Sequence, residues 1–345
     1  MNSRAFQRVS LAACILAYFV IVLGAYVRLS DAGLGCPDWP GCFGNITAPS
    51  KALEISQAKD IYPHLEVHSG KAWKEMIHRY FASTLGLFIL AMAFLAWRNR
   101  RDTQQQVILP FVLVGLVIFQ GLLGMWTVTQ LVRPTIVTLH LLTGLLTLSL
   151  LFWVFIKHKQ LWYDKLKSTE IDPMIRTLAK FSVLILALQI FLGGWTSTNY
   201  VALYCPDFPT CQGEWLPETN FSDAFTFFKD PTINYEGGSF SLSAGITVHF
   251  MHRIGAIIAA IALLSLSALI LIKTNNLILR KLSVLLLALL VTQISLGIAN
   301  VVLVLPIPIA VSHNAIAAAL LLTFLLINYS LNRPSKMNLS PRGLS

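Results

Sequence analysis

The sequence predicts an all-α integral membrane protein: eight transmembrane helices arranged as two pseudo-symmetric four-helix bundles, a parallel internal repeat. Three observations predict it. Of 345 residues, 55% are hydrophobic and only 12% charged, an apolar balance that an ordinary soluble domain does not reach. Eight apolar runs are long enough to cross about 30 Å of hydrocarbon, which takes about 20 helical residues. A short polar box with two cysteines occurs twice, as "GCPDWPGCFG" (35–44) and "YCPDFPTCQG" (204–213).

The runs are centred near Phe19, Leu87, Val117, Leu148, Ala187, Ala260, Leu287 and Ala319. The first follows Arg4 and Arg8 and has the outline of a signal peptide, but its counterpart in the second half, "FSVLILALQIFLGGW", is internal, so it reads as a retained span. An even number of spans puts both termini on one side. Lysine and arginine identify that side as cytoplasmic: the side holding Arg4, Arg8, "RNRR" (98–101), "KHKQLWYDKLK" (157–167), Lys273, Arg280, Lys281 and the tail carries seventeen Lys/Arg against four Asp/Glu, and the other side nine against twelve. The net charge of +10 is therefore a topology signal rather than a nucleic-acid surface, which would need its charges on one soluble domain.

Cys205 follows Cys36, and Cys211 follows Cys42, at the same offset of 169. "EMIHRY" (75–80) returns as "HFMHRI" (249–254) at 174, His140 as His313 at 173, and "FQGLLGMW" (119–126) as "TQISLGIA" (292–299). About five extra residues in the second large loop account for the drift, since loops tolerate insertion. Four spans per copy enter the bilayer in the same direction, which relates the copies by an axis along the membrane normal. The expected organisation is a first bundle over 1–157, a cytoplasmic linker over 158–175, a second bundle over 176–331 and a cytoplasmic tail over 332–345. Outer loops span 29–74 and 199–246.

Four of the five cysteines fall in those outer loops, and Cys14 lies in a span as a small packing residue. Pairs six positions apart suit zinc, a redox dithiol or a structural disulfide. Zinc needs two further ligands nearby, and His64 and His68 have no second-copy counterpart. An oxidising outer compartment favours Cys36–Cys42 and Cys205–Cys211 disulfides, with thiol/disulfide cycling of one pair, the first before the second, as the alternative.

Ionisable residues inside spans are rare and usually functional. His78, His140, His252 and His313 all fall near the outer ends of the even-numbered spans, two per copy at one depth. Two neutral imidazoles facing each other across a bundle can hold a haem iron from both sides. The repeat makes two such sites; two ligands per bundle fit zinc poorly. Arg79 and Arg253 follow the first ligand of each pair, where a guanidinium could meet a haem propionate or a lipid headgroup. His64, His68 and His158 lie in loops and read as solvated.

The copies differ three residues before that ligand, with Glu75 in the first and His249 in the second. A spacing of three puts both side chains on one helix face. A carboxylate there can accept or relay a proton, or it pairs with Arg79 or Lys74. The first half thus reads as catalytic and the second as electron-carrying, with Cys36 and Cys42 over the reaction site.

The ordered set of eight spans, "EMIHR" with Glu75 and His78, His140, "HR" at His252 and Arg253, His313, and a cysteine pair in each outer loop resembles the heme A synthase family over essentially the whole chain. The resemblance implies oxidation of one porphyrin methyl group of heme O to the formyl of heme A, by two hydroxylations and loss of water from a gem-diol. It implies that His78 and His140 flank the substrate, that Glu75 is the catalytic carboxylate, and that His252 and His313 hold a permanent heme b. His249 competes with His252 for the last role; the His–Arg pairing shared with His78 favours His252. An iron held by two histidines has no open position, so either a ligand leaves during turnover or water supplies the oxygen. Expected partners are heme O, heme O synthase, a membrane electron acceptor and a second copy, in a bacterial inner membrane with the cysteine loops periplasmic. The rival readings are a quinone-linked diheme b-type electron carrier, which predicts equivalent halves, and a haem or small-molecule transporter, which does not predict imidazoles at matched depth.

Overall fold

A computed structural model describes residues 2–102, 105–158, 171–230 and 232–332. Most of the linker and tail expected over 158–175 and 332–345 lies outside the described residues. Among the described residues, eight helices are long and apolar enough to cross a membrane: α1 (Asn2–Leu29), α3 (Ser69–Arg98), α4 (Ile108–Thr129), α5 (Pro134–His158), α6 (Pro173–Thr198), α8 (Leu242–Lys273), α9 (Leu277–Val302) and α10 (Ile307–Leu331). Two short helices lie in the outer loops, α2 (Ala52–Ile61) and α7 (Phe221–Ala224). All eight expected span centres fall inside these helices.

Helix starts follow local chemistry. The side chain of Asp172 accepts from Met174 N at 2.9 Å ahead of Pro173, and that of Asn276 accepts from the N–H groups of Ile278 and Leu279 at 3.0 and 3.1 Å. Both satisfy donors that a helix start otherwise leaves orphaned. The α4–α5 and α9–α10 reversals are tight, with left-handed backbone at Leu131 and Val132 and again at Val304 and Leu305. Backbone N–H bonds from Val132 to Thr127 O at 2.8 Å and from Leu305 to Asn300 O at 2.7 Å close them. α3 and α8 begin at Ser69 and Leu242, one to two turns inside the loops expected over 29–74 and 199–246. Their first turns are too polar for the hydrophobicity signal but still satisfy their backbone as helix.

Packing joins α1 to α3 and α5, and α4 to α3 and α5; it likewise joins α6 to α8 and α10, and α9 to α8 and α10. The first four helices bury Phe6, Ile89, Met92, Leu113, Leu148 and Leu151 together, and the last four bury Ile175, Leu263, Leu266, Leu286, Phe324 and Ile327. The free thiol Cys14 is buried in the first of these cores. Contacts of α10 with α1 and of α5 with α6 join the two sets. They include Tyr18 Oη donating to Ala315 O at 2.9 Å, a 2.9 Å bond between the Thr138 and Thr198 hydroxyls, and Arg28 Nη2 donating to Ser197 O at 2.6 Å.

The longer second loop crosses to the first set. Tyr235 N donates to Leu131 O at 3.1 Å, and the Thr135 hydroxyl donates to Phe227 O at 2.5 Å. Trp195 is fully buried beneath this segment, its Nε1 donating to Ala224 O at 2.8 Å.

Candidate active site

The cysteine boxes fold alike. Disulfides join Cys36 to Cys42 and Cys205 to Cys211, with Cα–Cα distances of 4.8 and 4.5 Å. Within each, an aspartate carboxylate gathers the N–H groups of the turn. Asp38 accepts from Phe43 N at 2.6 Å and Gly44 N at 2.8 Å; Asp207 accepts from Gln212 N at 2.7 Å, Gly213 N at 3.0 Å and the Thr210 hydroxyl. Gly44 and Gly213 have φ of 77° and 78°, a conformation costly for any residue with a Cβ. The Asp207 carboxyl is held down to about 2, first by the Thr210 hydroxyl and then by the Gly213 and Gln212 N–H groups.

Each box is clamped to a histidine-bearing helix by the arginine that follows the histidine. Arg79 Nη1 donates to the carbonyls of Asp38, Pro40 and Gly41 at 3.0, 3.2 and 2.5 Å. Arg253 donates from Nη1 to Thr210 O at 2.7 Å and from Nη2 to Cys205 O and Asp207 O at 2.8 Å each. Any propionate that met these guanidinium groups would share them with loop carbonyls.

Glu75 is 5% exposed and completes the first clamp. Its Oε1 accepts from Arg79 Nη2 at 2.5 Å and its Oε2 from Cys36 N at 3.0 Å. The pairing with Arg79 weighed from the sequence therefore forms, and a bond to the disulfide loop accompanies it. In the second half His249 holds the same place: its Nδ1 faces Cys205 N at 3.2 Å and its Nε2 faces Arg253 Nε at 3.3 Å. A neutral imidazole accepts at one nitrogen only, so one of these two is a hydrogen bond at any moment. His249 is thus turned to its loop, away from the role it shares with His252 on sequence grounds. Glu75 and His249 do the same structural task, but only Glu75 brings a carboxylate.

His78, His140, His252 and His313 stand about 9–15 Å inside the N-terminal ends of α3, α5, α8 and α10, from their residue positions and the helical rise. His78 and His140 sit on α3 and α5, which share α1 and α4 as neighbours, and His252 and His313 on α8 and α10, which share α6 and α9. Each ring rests on a glycine of the neighbouring odd-numbered span. A Cβ on Gly24 or Gly193 would stand 3.0 Å from Cε1 of His78 or His252; on Gly297, 3.2 Å from His313; on Gly124, 3.6 Å from His140. Glycine in a helix interior costs about 0.5–1 kcal/mol relative to alanine, and the closeness of the ring gives a steric reason for it at Gly24, Gly193 and Gly297, though not at Gly124, where a Cβ would make an ordinary contact. The signal was present as four Leu-Gly pairs (23–24, 123–124, 192–193, 296–297), but an apolar helix gives a glycine no visible function.

Nδ1 of His78, His140 and His313 is buried without a hydrogen-bond partner, as is Oε1 of Gln120, Gln189 and Gln293. Buried polar atoms are rarely left so, and each instance needs an explanation such as a bound group. Paired imidazoles, a glycine against each ring and unsatisfied nitrogens on three of the four rings fit a porphyrin iron taken from both sides. His64 and His68 belong to the outer loop, with His68 Nε2 3.1 Å from Glu66 Oε2 on an exposed surface, and the His158 side chain lies outside the described residues.

Comparison with known proteins follows the same lines. A family model described as Cytochrome oxidase assembly protein, COX15-CtaA, matches residues 7–325. The Heme A synthase of Shewanella oneidensis is 44% identical over 318 residues, 92% of this chain and 94% of that protein. The Heme A synthase of Rhizorhabdus wittichii is 28% identical over 348 residues, 93% and 92% of the two chains, and that of Shouchella clausii 26% identical over 256 residues, 72% and 70%.

Proposed function

The chain belongs to the COX15-CtaA cytochrome oxidase assembly family, and we infer that it carries out the reaction its relatives are named for, as a multi-pass membrane oxidoreductase that converts heme O to heme A. An apolar substrate with an isoprenoid tail calls for an enzyme that can receive it laterally from lipid. The observation that carries the reading further is the pairing of two imidazole sites, each ring seated on a glycine, with a buried carboxylate beside the first site alone.

In this account 1–157 and 176–331 are two copies of one four-helix unit. His78 and His140 flank the substrate, while His252 and His313 hold a resident heme b that supplies a one-electron store when bound. Support for treating the halves as copies comes from contacts that recur with different chemistry, such as Cys36 N on Glu75 and Cys205 N on His249.

Oxidation of a methyl group to a formyl releases protons close to the porphyrin edge. Glu75 is the carboxylate one helical turn from His78, and each of its oxygens keeps a lone pair beyond the bonds to Arg79 and Cys36 N. It accepts a proton there, while Arg79 and the Cys36–Cys42 loop fix its position and exclude water. The Cys205–Cys211 loop braces the second half without contributing a carboxylate. The cysteine loops face the periplasm and both termini the cytoplasm of a bacterial inner membrane, on the charge asymmetry of the loops. Heme O synthase, a membrane electron acceptor and a second copy are the partners this role implies.

The test is Glu75→Gln in membranes supplied with heme O, followed by haem extraction and chromatography. The amide keeps the size and one acceptor, so haem stays bound while heme A disappears and heme O or a partly oxidised product accumulates. Undiminished heme A would overturn the role of Glu75.

A further inference from the structure

An enzyme that oxidises one haem while keeping another has opposite needs at its two sites: the substrate must come and go, and the resident must stay. The two pairs of imidazoles are held differently. In the second half Gln189 Nε2 lies 3.0 Å from His252 Nδ1 and 3.1 Å from His252 O; Gln293 Nε2 lies 3.1 Å from His313 Nε2, the nitrogen that iron would take, and His313 Nδ1 has no partner, so the contrast lies between His252 and His78. In the first half no side-chain hydrogen bond reaches either ring among the described residues. Gln120 donates only to the main-chain oxygen of His140, at 3.1 Å, and Nδ1 of both His78 and His140 is buried without a partner.

Two sequence differences produce this. Counted at the offset of the cysteine boxes, 169, the residue matching Gln189 is Val20, which has no polar atom. Counted at the offset of the histidine helices, 174, the residue matching Gly255 is Phe81. Gly255 is what gives the Gln189 amide its space, since a Cβ there would overlap Gln189 Oε1. The first half therefore lacks both the amide and the room for it.

We propose that Gln189 is a positioning residue that locks His252 onto the resident haem, and that Val20 in its place leaves His78 as the releasable ligand. This rests on the assignment of the halves made above. An imidazole that binds iron through Nε2 carries its proton on Nδ1. The group facing that nitrogen must then present an oxygen. A half-turn about the last torsion of Gln189 exchanges Nε2 for Oε1, which has no partner at present, and gives up the bond to His252 O in return for one from Nδ1–H. With Oε1 accepting from Nδ1–H, the ring plane is fixed and the imidazole becomes a stronger donor to the metal, as outer partners of metal-bound histidines generally arrange. His78 has only the packing surface of Gly24 to hold its ring. That freedom addresses the difficulty that an iron held by two histidines has no open position.

The experiment uses the purified full chain loaded with haem and an excess of apomyoglobin as acceptor. The rate of haem transfer and the low-spin electron paramagnetic resonance signal are followed together. Gln189→Val should release heme b about 10- to 100-fold faster, the usual effect of losing an outer partner, with shifted low-spin g values. Gln189→Glu, which keeps an acceptor oxygen at the same reach, should hold heme b nearly as long as the parent protein. The reciprocal double change, Val20→Gln with Phe81→Gly, which supplies both the amide and its space, should slow transfer of the first-half haem by about tenfold.

Heme b leaving Gln189→Val at the parent rate with an unchanged signal would overturn the proposal. So would equal loss from the Val and Glu variants, which would reduce Gln189 to packing. If the slowly released haem is abolished by His78→Ala and not by His252→Ala, the assignment of the halves fails instead, and the proposal falls with it.

Discussion

Replacing the helical glycines with alanine separates two effects that usually move together. Alanine raises the intrinsic stability of a helix interior by about 0.5–1 kcal/mol over glycine. The same methyl group meets an imidazole at 3.0 Å in Gly193→Ala and 3.2 Å in Gly297→Ala, but at an ordinary 3.6 Å in Gly124→Ala. Carbon atoms settle near 3.5–4.0 Å, so the His252 ring must retreat by about 0.5 Å, whereas His140 need not move. Overpacking of this size costs about 1–3 kcal/mol, which is about 5- to 150-fold in occupancy of a group bound by that ring. Gly193→Ala should therefore lose most of its second-half haem while its helix content holds, and Gly124→Ala should keep its haem and its unfolding temperature. The assay is haem per protein after purification, from the reduced low-spin absorbance, beside thermal unfolding in the same detergent. Equal haem content in the two variants would refute the steric reasoning, as would a loss in Gly124→Ala that matches Gly193→Ala.

The clamp and the boxes make further predictions. Arg79→Ala leaves Glu75 as a buried carboxylate without its counter-charge, held by Cys36 N, and should destabilise by about 3–5 kcal/mol; adding Glu75→Gln should recover most of it, a coupling that unfolding of the four forms of the cycle measures. Asp207 is held at about 2, below its ordinary 3.8. Its folded value is the lower one, so its contribution to stability is full above roughly pH 4 and fades as the pH falls towards 2. Limited proteolysis of the second loop over that range should show the box loosening, and Asp207→Asn should remove the pH dependence.

Apolar length and lysine–arginine asymmetry made the spans and the expected side of each loop legible in the sequence, because both follow from the cost of moving charge and bare backbone into hydrocarbon. The spacing of Cys36, Glu75 and His78 against Cys205, His249 and His252 likewise made the counterparts visible. What was not legible depends on backbone atoms or on empty space. The carbonyls that Arg79 and Arg253 gather belong to main chain and carry no residue identity, so those arginines read equally well as propionate or headgroup contacts. Gly24, Gly193 and Gly297 matter for the room they leave, and an apolar helix pattern passes over them. The crossing of 221–240 onto the α4–α5 turn shows in the sequence only as a few extra residues, since its anchors, Leu131 O and Phe227 O, are again main chain.

The division of labour between the halves is the central claim, and haem analysis of two variants tests it most directly. The full chain is purified from cells that make heme O, and its haems are extracted, identified by chromatography and counted per protein. His78→Ala should lose bound heme O and heme A while retaining heme b, and His252→Ala should lose heme b while still binding heme O. Loss of the same haem from both variants, or heme b that departs with His78 and stays without His252, would contradict the account.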